Sequence, residues 1–202
     1  MKTNFKIFGL FFFLGIALVG CSPSTPTPIP TPTACNTVGT DFQQLYAATL
    51  ASNALFTNYT TMDLVTHEYT FTVSANKTIC TVGYQGNANL YASSIPYTIE
   101  IYNNTTTTLV YTGSHIFNSA ATDYQPITPT NLVAGNTYTI RRIASNYLGN
   151  IANTTGRILR FNAAPVPYPV TYGVLTISAS NFYGTGGPVP NYGIPYIDIV
   201  FQ

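Results

Sequence analysis

From Glu68 onward, apolar and polar side chains alternate along the chain with a period of two. In HEYTFTV (67–73), Tyr69, Phe71 and Val73 fall on one face and Thr70 and Thr72 on the other, as in a strand with one buried side. The pattern returns in KTICTVGY (77–84), PYTIEIY (96–102), TLVYTG (108–113), NTYTIRRI (136–143), GRILRFN (156–162), YGVLTISAS (172–180) and PYIDIVF (195–201). Asn, Gly, Pro and Thr separate the runs, and no helical pattern intervenes. That excludes a parallel α/β sheet and predicts an all-β, antiparallel sandwich of jelly-roll type. One segment differs. In DFQQLYAATLASNALF (41–56), Phe42, Leu45, Tyr46 and Leu50 recur near helical spacing, and Asp41 with Gln44 resembles a capping box. It reads as a short N-terminal helix, with a first strand at the sandwich edge as the alternative.

The start of the chain has no such periodicity. Lys2 and Lys6 precede an unbroken apolar run of 13 residues, IFGLFFFLGIALV (7–19). At about 1.5 Å per residue it spans roughly 20 Å, short of the ~30 Å a transmembrane helix must cross, so it is an export signal and not a permanent span. The run ends in Leu18-Val19-Gly20-Cys21, which resembles the lipobox of bacterial lipoproteins at every position. The resemblance implies cleavage after residue 20 and lipid on the Cys21 sulfur, a membrane anchor by acyl chains. Ser22 in place of an aspartate after the anchor points to the outer membrane or cell surface. Residues 21–34 carry prolines at 23, 26, 28, 30 and 32. Proline fixes φ and removes the N–H, so this stretch is a polyproline stalk of about 35 Å. The remaining residues, 35–202, make one domain with enough chain for a core.

Charge narrows the functional classes. Without Lys2 and Lys6, five cations (Lys77, Arg141, Arg142, Arg157, Arg160) face six acids, a formal charge of −1. That leaves no basic footprint for nucleic acid. Charged residues are only 6% of the chain, so Thr, Asn, Ser, Gly and many of the 16 tyrosines must cover the surface. With Cys21 taken by lipid, Cys35 and Cys80 remain, and an oxidising compartment favours a disulfide between them.

Catalytic signatures are missing. No G-x-S-x-G elbow accompanies His67 or His115. A carboxylate pair would need two of Asp41, Asp63, Glu68, Glu100, Asp123 and Asp198 on one cleft. Asp198 lies between Ile197, Ile199 and Phe201, a position that points to solvent or ties a loop by hydrogen bonds. The spacing of His67, Glu68 and His115 does not supply a zinc site. No cofactor is expected, although a structural Ca²⁺ held largely by carbonyls would leave no pattern to read. Arg141-Arg142 is the unusual local feature. Two neighbours in a strand face opposite sides, so one arginine must turn toward the core, where Glu100 is its expected partner. The outward reading of the pair is a carboxylate- or sugar-binding arginine among tyrosines. Asn181-Phe182-Tyr183-Gly184, followed by Thr185-Gly186-Gly187-Pro188, is a polar, glycine-rich stretch where a sandwich carries binding residues. The candidate ligand contacts are therefore Arg141, Arg142, Asn181 and Tyr183.

The order of signals from Lys77 to Phe201 resembles a family of uncharacterised β-sandwich domains on bacterial exported and surface proteins. The carriers are Ile79-Cys80-Thr81-Val82-Gly83-Tyr84, the strand from Tyr97 to Tyr102, and Leu109-Val110-Tyr111-Thr112. Asn131-Leu132-Val133-Ala134-Gly135-Asn136-Thr137-Tyr138 and the closing Tyr196-Ile197-Asp198-Ile199-Val200-Phe201 complete the set. With the lipobox and the missing catalytic signatures, the expected function is an envelope lipoprotein whose sandwich is not an enzyme but a binding or adhesion module. Its partners would be the membrane, through lipid, and a glycan or another surface protein. A structural lipoprotein with no ligand is the alternative, and a secreted glycan-active enzyme the third reading.

Overall fold

A computed structural model describes residues 35–61, 64–144, 156–184 and 187–202. The export segment, Cys21 and the whole stalk lie outside them, as do Asp63, Thr185 and Gly186. All strand pairs among the described residues are antiparallel and fall into three sheets. The largest runs β11 (Gly187–Pro190), β10 (Leu175–Gly184), β2 (Thr66–Val73), β7 (Thr137–Ile143), β4 (Tyr97–Asn103), β5 (Thr108–His115), with β9 (Val170–Tyr172) also paired to β10. A second holds β13 (Asp198–Phe201), β3 (Lys77–Tyr84) and β6 (Asp123–Leu132). A third holds β1 (Phe56–Thr61), β8 (Gly156–Phe161) and β12 (Gly193–Pro195). This is an all-β sandwich with no closed barrel.

Alternation builds the sandwich. Tyr69, Phe71, Ile99, Ile101, Tyr138, Ile140 and Ile177 of the large sheet are buried on its inner side, together with Val82, Tyr84 and Ile199 of the second sheet. Tyr69 crosses between layers and donates its hydroxyl to the Ile197 carbonyl at 2.8 Å. At roughly 25 cal/mol per Å² of apolar surface, each such aromatic stabilises the fold by about 1.5–3 kcal/mol.

The segment at 41–56 is a helix, α1 (Asp41–Ser52), and not an edge strand. Phe42, Leu45, Tyr46 and Thr49 form its buried stripe, with Phe42 stacked on Tyr69 at 5.6 Å and edge-on to Tyr196 at 5.2 Å. Its cap lies one residue earlier than the Asp41–Gln44 pairing predicts. Thr40 is the N-cap and its hydroxyl accepts the Gln43 N–H at 3.0 Å. The helix stops at Ser52, so Phe56 opens β1.

All eight period-two runs contain strands, but β1, β6, β9, β11 and β12 and the short helix α2 (Ala88–Ala92) carried no such signal. For β6 the reason is visible: Pro126 and Pro129 break the pattern, and an edge strand with a register shift between Ile79 and Thr81 of its neighbour tolerates both. Cys35 is disulfide-bonded to Cys80 with Cα atoms 6.2 Å apart, which ties the lead into the domain to the middle strand of the second sheet.

Candidate functional site

The outer face of the large sheet is rich in threonine, with Thr66, Thr70, Thr72, Thr98, Thr137 and Thr139 on it, and one polar row crosses it. Asn181 of β10 stands opposite Glu68 of β2, Glu68 opposite Arg141 of β7, and Arg141 opposite Glu100 of β4. Directly opposed side chains on one sheet face are within reach of each other, and here they bond. Arg141 Nε donates to Glu68 Oε2 at 3.0 Å, and an Nη lies 3.6 Å from Glu100 Oε2. Asn181 Nδ2 and the Tyr183 hydroxyl donate to the other Glu68 oxygen at 3.2 and 3.0 Å. Glu68 therefore sits on the outward face yet is only 6% exposed, because its neighbours cover it. Burial, and then the Glu68 carboxylate, push the Tyr183 phenol above its usual value, so it donates as a neutral hydroxyl.

Beside this row Thr66, Glu68, Arg141, Ile143 and Tyr183 line an open depression of about 400 Å³. Chemically it offers a guanidinium, whose side chain is 37% exposed, a phenol edge and a threonine hydroxyl over an apolar floor at Ile143. Such a surface can hold polar, hydroxyl-bearing groups.

Three of the four candidate contacts, Arg141, Asn181 and Tyr183, thus converge on Glu68. The fourth does not. Arg142 faces the interior with no exposed surface. Its Nη1 donates to the Leu64 carbonyl at 2.7 Å, and its guanidinium lies 5.1 Å and 5.3 Å from the Tyr84 and Tyr97 ring centres. The expected pairing of Glu100 with the inward arginine is corrected accordingly: β4 and β7 share an outward face at Glu100 and Arg141, so Glu100 pairs with the outward one. A usable signal was present. Tyr138 and Ile140 set the inward phase of β7, and Arg142 continues it. The sequence offers Glu68 only as one of six carboxylates and Thr66 not at all, because nothing local in THEYTFTV (66–73) shows which residues stand opposite them.

Asp198 does not reach solvent. It is fully buried, accepts the Thr40 hydroxyl at 2.8 and 3.0 Å, Gln43 Nε2 at 3.1 Å and the Tyr124 hydroxyl at 2.7 Å, and so ties the start of α1 to the second sheet. Gly83 makes this reach possible. It lies between Asp198 and Tyr124 in register, and a Cβ there would come within 2.4 Å of the tyrosine ring that crosses it. Burial raises the Asp198 carboxyl above its ordinary value, opposed by the Tyr124, Thr40 and Gln43 hydrogen bonds. His67, fully buried beside Arg142, is held well below its ordinary value by burial and by that cation, and its Nε2 accepts the Leu64 N–H at 3.1 Å. His115 bonds the Tyr111 hydroxyl at 2.7 Å. Among the described residues no three His, Cys, Asp or Glu side chains gather as a metal site. Cys21 lies outside the described residues.

No protein-family model matches the chain, and no curated protein is similar to it at a significant level.

Proposed function

We propose that the protein is a bacterial envelope lipoprotein, anchored through Cys21, whose β-sandwich is a non-catalytic binding module that takes a glycan or another surface protein. The observation that carries the binding reading is the depression beside the Glu68–Arg141 row, where an exposed guanidinium edge, a phenol and a hydroxyl converge on a rigid sheet. The lipobox Leu18-Val19-Gly20-Cys21 supports the anchor, and the proline stalk would carry the domain clear of the lipid. The outer membrane or cell surface is the proposed location.

Glycan-array binding of the detergent-solubilised full chain, compared with Arg141→Ala and Tyr183→Ala, tests the module. Specific binding lost in both variants supports it, and no binding to glycans or to envelope-protein fractions ends it. A structural lipoprotein with no ligand is the second reading, favoured by one fact: Glu68 already accepts from Arg141, Asn181 and Tyr183, as a locked brace would. For the anchor, Cys21→Ser should abolish labelling by radioactive palmitate and leave an unprocessed precursor, and normal labelling of that variant would refute it.

A further inference from the structure

The middle strand of the third sheet carries a cation that no described residue neutralises. Arg160 on β8 is paired with Thr57 of β1 on one side and Gly193 of β12 on the other. Its guanidinium carbon lies 5.3 Å from the centre of the Tyr59 ring and 5.0 Å from that of Tyr192. A tyrosine from each flank thus holds the planar group in place. Among the described residues no carboxylate pairs with it, and its Nε is buried without a hydrogen-bond partner. The hydroxyls of Thr57, Tyr59 and Tyr192 are likewise unbonded to any described residue. Tyr59 itself is 40% exposed.

The other sheet arginines contrast with it. Arg141 is shared by two carboxylates, and Arg157, although also stacked on tyrosines, donates its Nε to Asn58 Oδ1 at 3.1 Å. Arg160 is oriented and partly stripped of water but keeps unspent donors. A stacked guanidinium takes a carboxylate through two parallel N–H···O bonds, and having been fixed beforehand it loses little freedom on doing so. The three hydroxyls beside it suit a ligand rich in hydroxyls of its own. We infer that the Tyr59–Arg160–Tyr192 patch is a binding site for an acidic sugar: the sugar carboxylate end-on to the two Nη groups of Arg160, its ring hydroxyls on Thr57 and the tyrosine hydroxyls. The site is separate from the depression on the large sheet and does not depend on it.

Titration calorimetry of the detergent-solubilised full chain at low salt, with oligogalacturonate and with the matching neutral galactose oligomer, tests this. Only the acidic oligomer binds, and Arg160→Gln and Arg160→Lys each weaken it by about tenfold or more, the lysine because it keeps the charge but loses the fork. Lys77→Ala, which removes a cation elsewhere, leaves the affinity unchanged. Thermal melts identify which variants remain folded. Tyr192→Leu, which removes one wall and no charge, weakens binding as well and serves as the second variant if either Arg160 replacement fails to fold. Absence of binding, equal affinity for the neutral oligomer, or unchanged affinity in the folded Arg160 and Tyr192 variants would each overturn the site. So would a glutamate oligopeptide that binds as tightly, since the patch would then serve a protein. Loss of binding in Arg141→Ala with full binding in Arg160→Gln would place the ligand on the large sheet and also refute it.

Discussion

Arg141 and Arg142 are neighbours in sequence and belong to two different environments. Arg141 lies on the outer face of the large sheet, braced between two carboxylates with its side chain still 37% exposed. Arg142 lies on the inner face with no exposure, against tyrosine rings and the Leu64 carbonyl. One residue of strand alternation separates a group that water can replace from one that it cannot. The same difference divides Glu68 from His67 on the adjoining strand: a carboxylate that accepts from three side-chain donors, and an imidazole kept neutral by burial. The chemical type of a side chain therefore says little here until its face is known.

The comparison breaks most visibly at Arg142. Arg142→Ala leaves the Leu64 and Val65 carbonyls without this donor and removes both ring contacts inside the sandwich, and should cost about 2–4 kcal/mol. For a domain of this size that lowers the melting temperature by roughly 10 °C. A melt within a degree or two of the parent would show that the inner face does not need this cation.

The adjoining His67 should make stability depend on pH. Its folded-state pKa is lowered, so below about 6.5 the unfolded chain binds a proton that the folded chain refuses, and stability falls with pH by up to about 1.4 kcal/mol per unit. Burial lowers His115 in the same direction. Asp198, raised by burial, acts with the opposite sign nearer the carboxylate range. Urea unfolding from pH 7.5 to 5 should show the slope, and His67→Gln should flatten most of it. An unchanged slope in that variant would move the effect to other groups.

On the outer face the expected losses are smaller. Arg141→Ala should cost about 1 kcal/mol: more than an ordinary surface change because it uncovers one oxygen of a nearly buried Glu68, less than Arg142 because water can reach the vacated place. Glu100→Gln, whose partner keeps Glu68, should shift stability by under about 0.5 kcal/mol. A loss at Glu100 as large as that at Arg141 would mean that the row acts as one network, which a double mutant of the two would measure.

Much of this architecture was legible in the chain. The alternation in HEYTFTV and NTYTIRRI reports burial of alternate side chains, a property of the strand itself, and so the sequence alone determined the all-β class, eight of the strands and the opposition of Arg141 to Arg142. Phe42, Leu45 and Tyr46 at helical spacing likewise specified α1, although its cap settled on Thr40, whose hydroxyl accepts the Gln43 N–H and donates to the buried Asp198. Short or proline-bearing strands such as β12 and β6 left no signal, because their own residues do not alternate and pairing with a neighbouring strand defines them. The sites belong to that second kind. Glu68 meets Asn181 from 113 residues away and Arg141 from 73, and Arg160 gains Tyr59 and Tyr192 from opposite sides of its sheet. Those meetings are set by cross-strand register, a relation between distant segments that only the assembled sandwich decides.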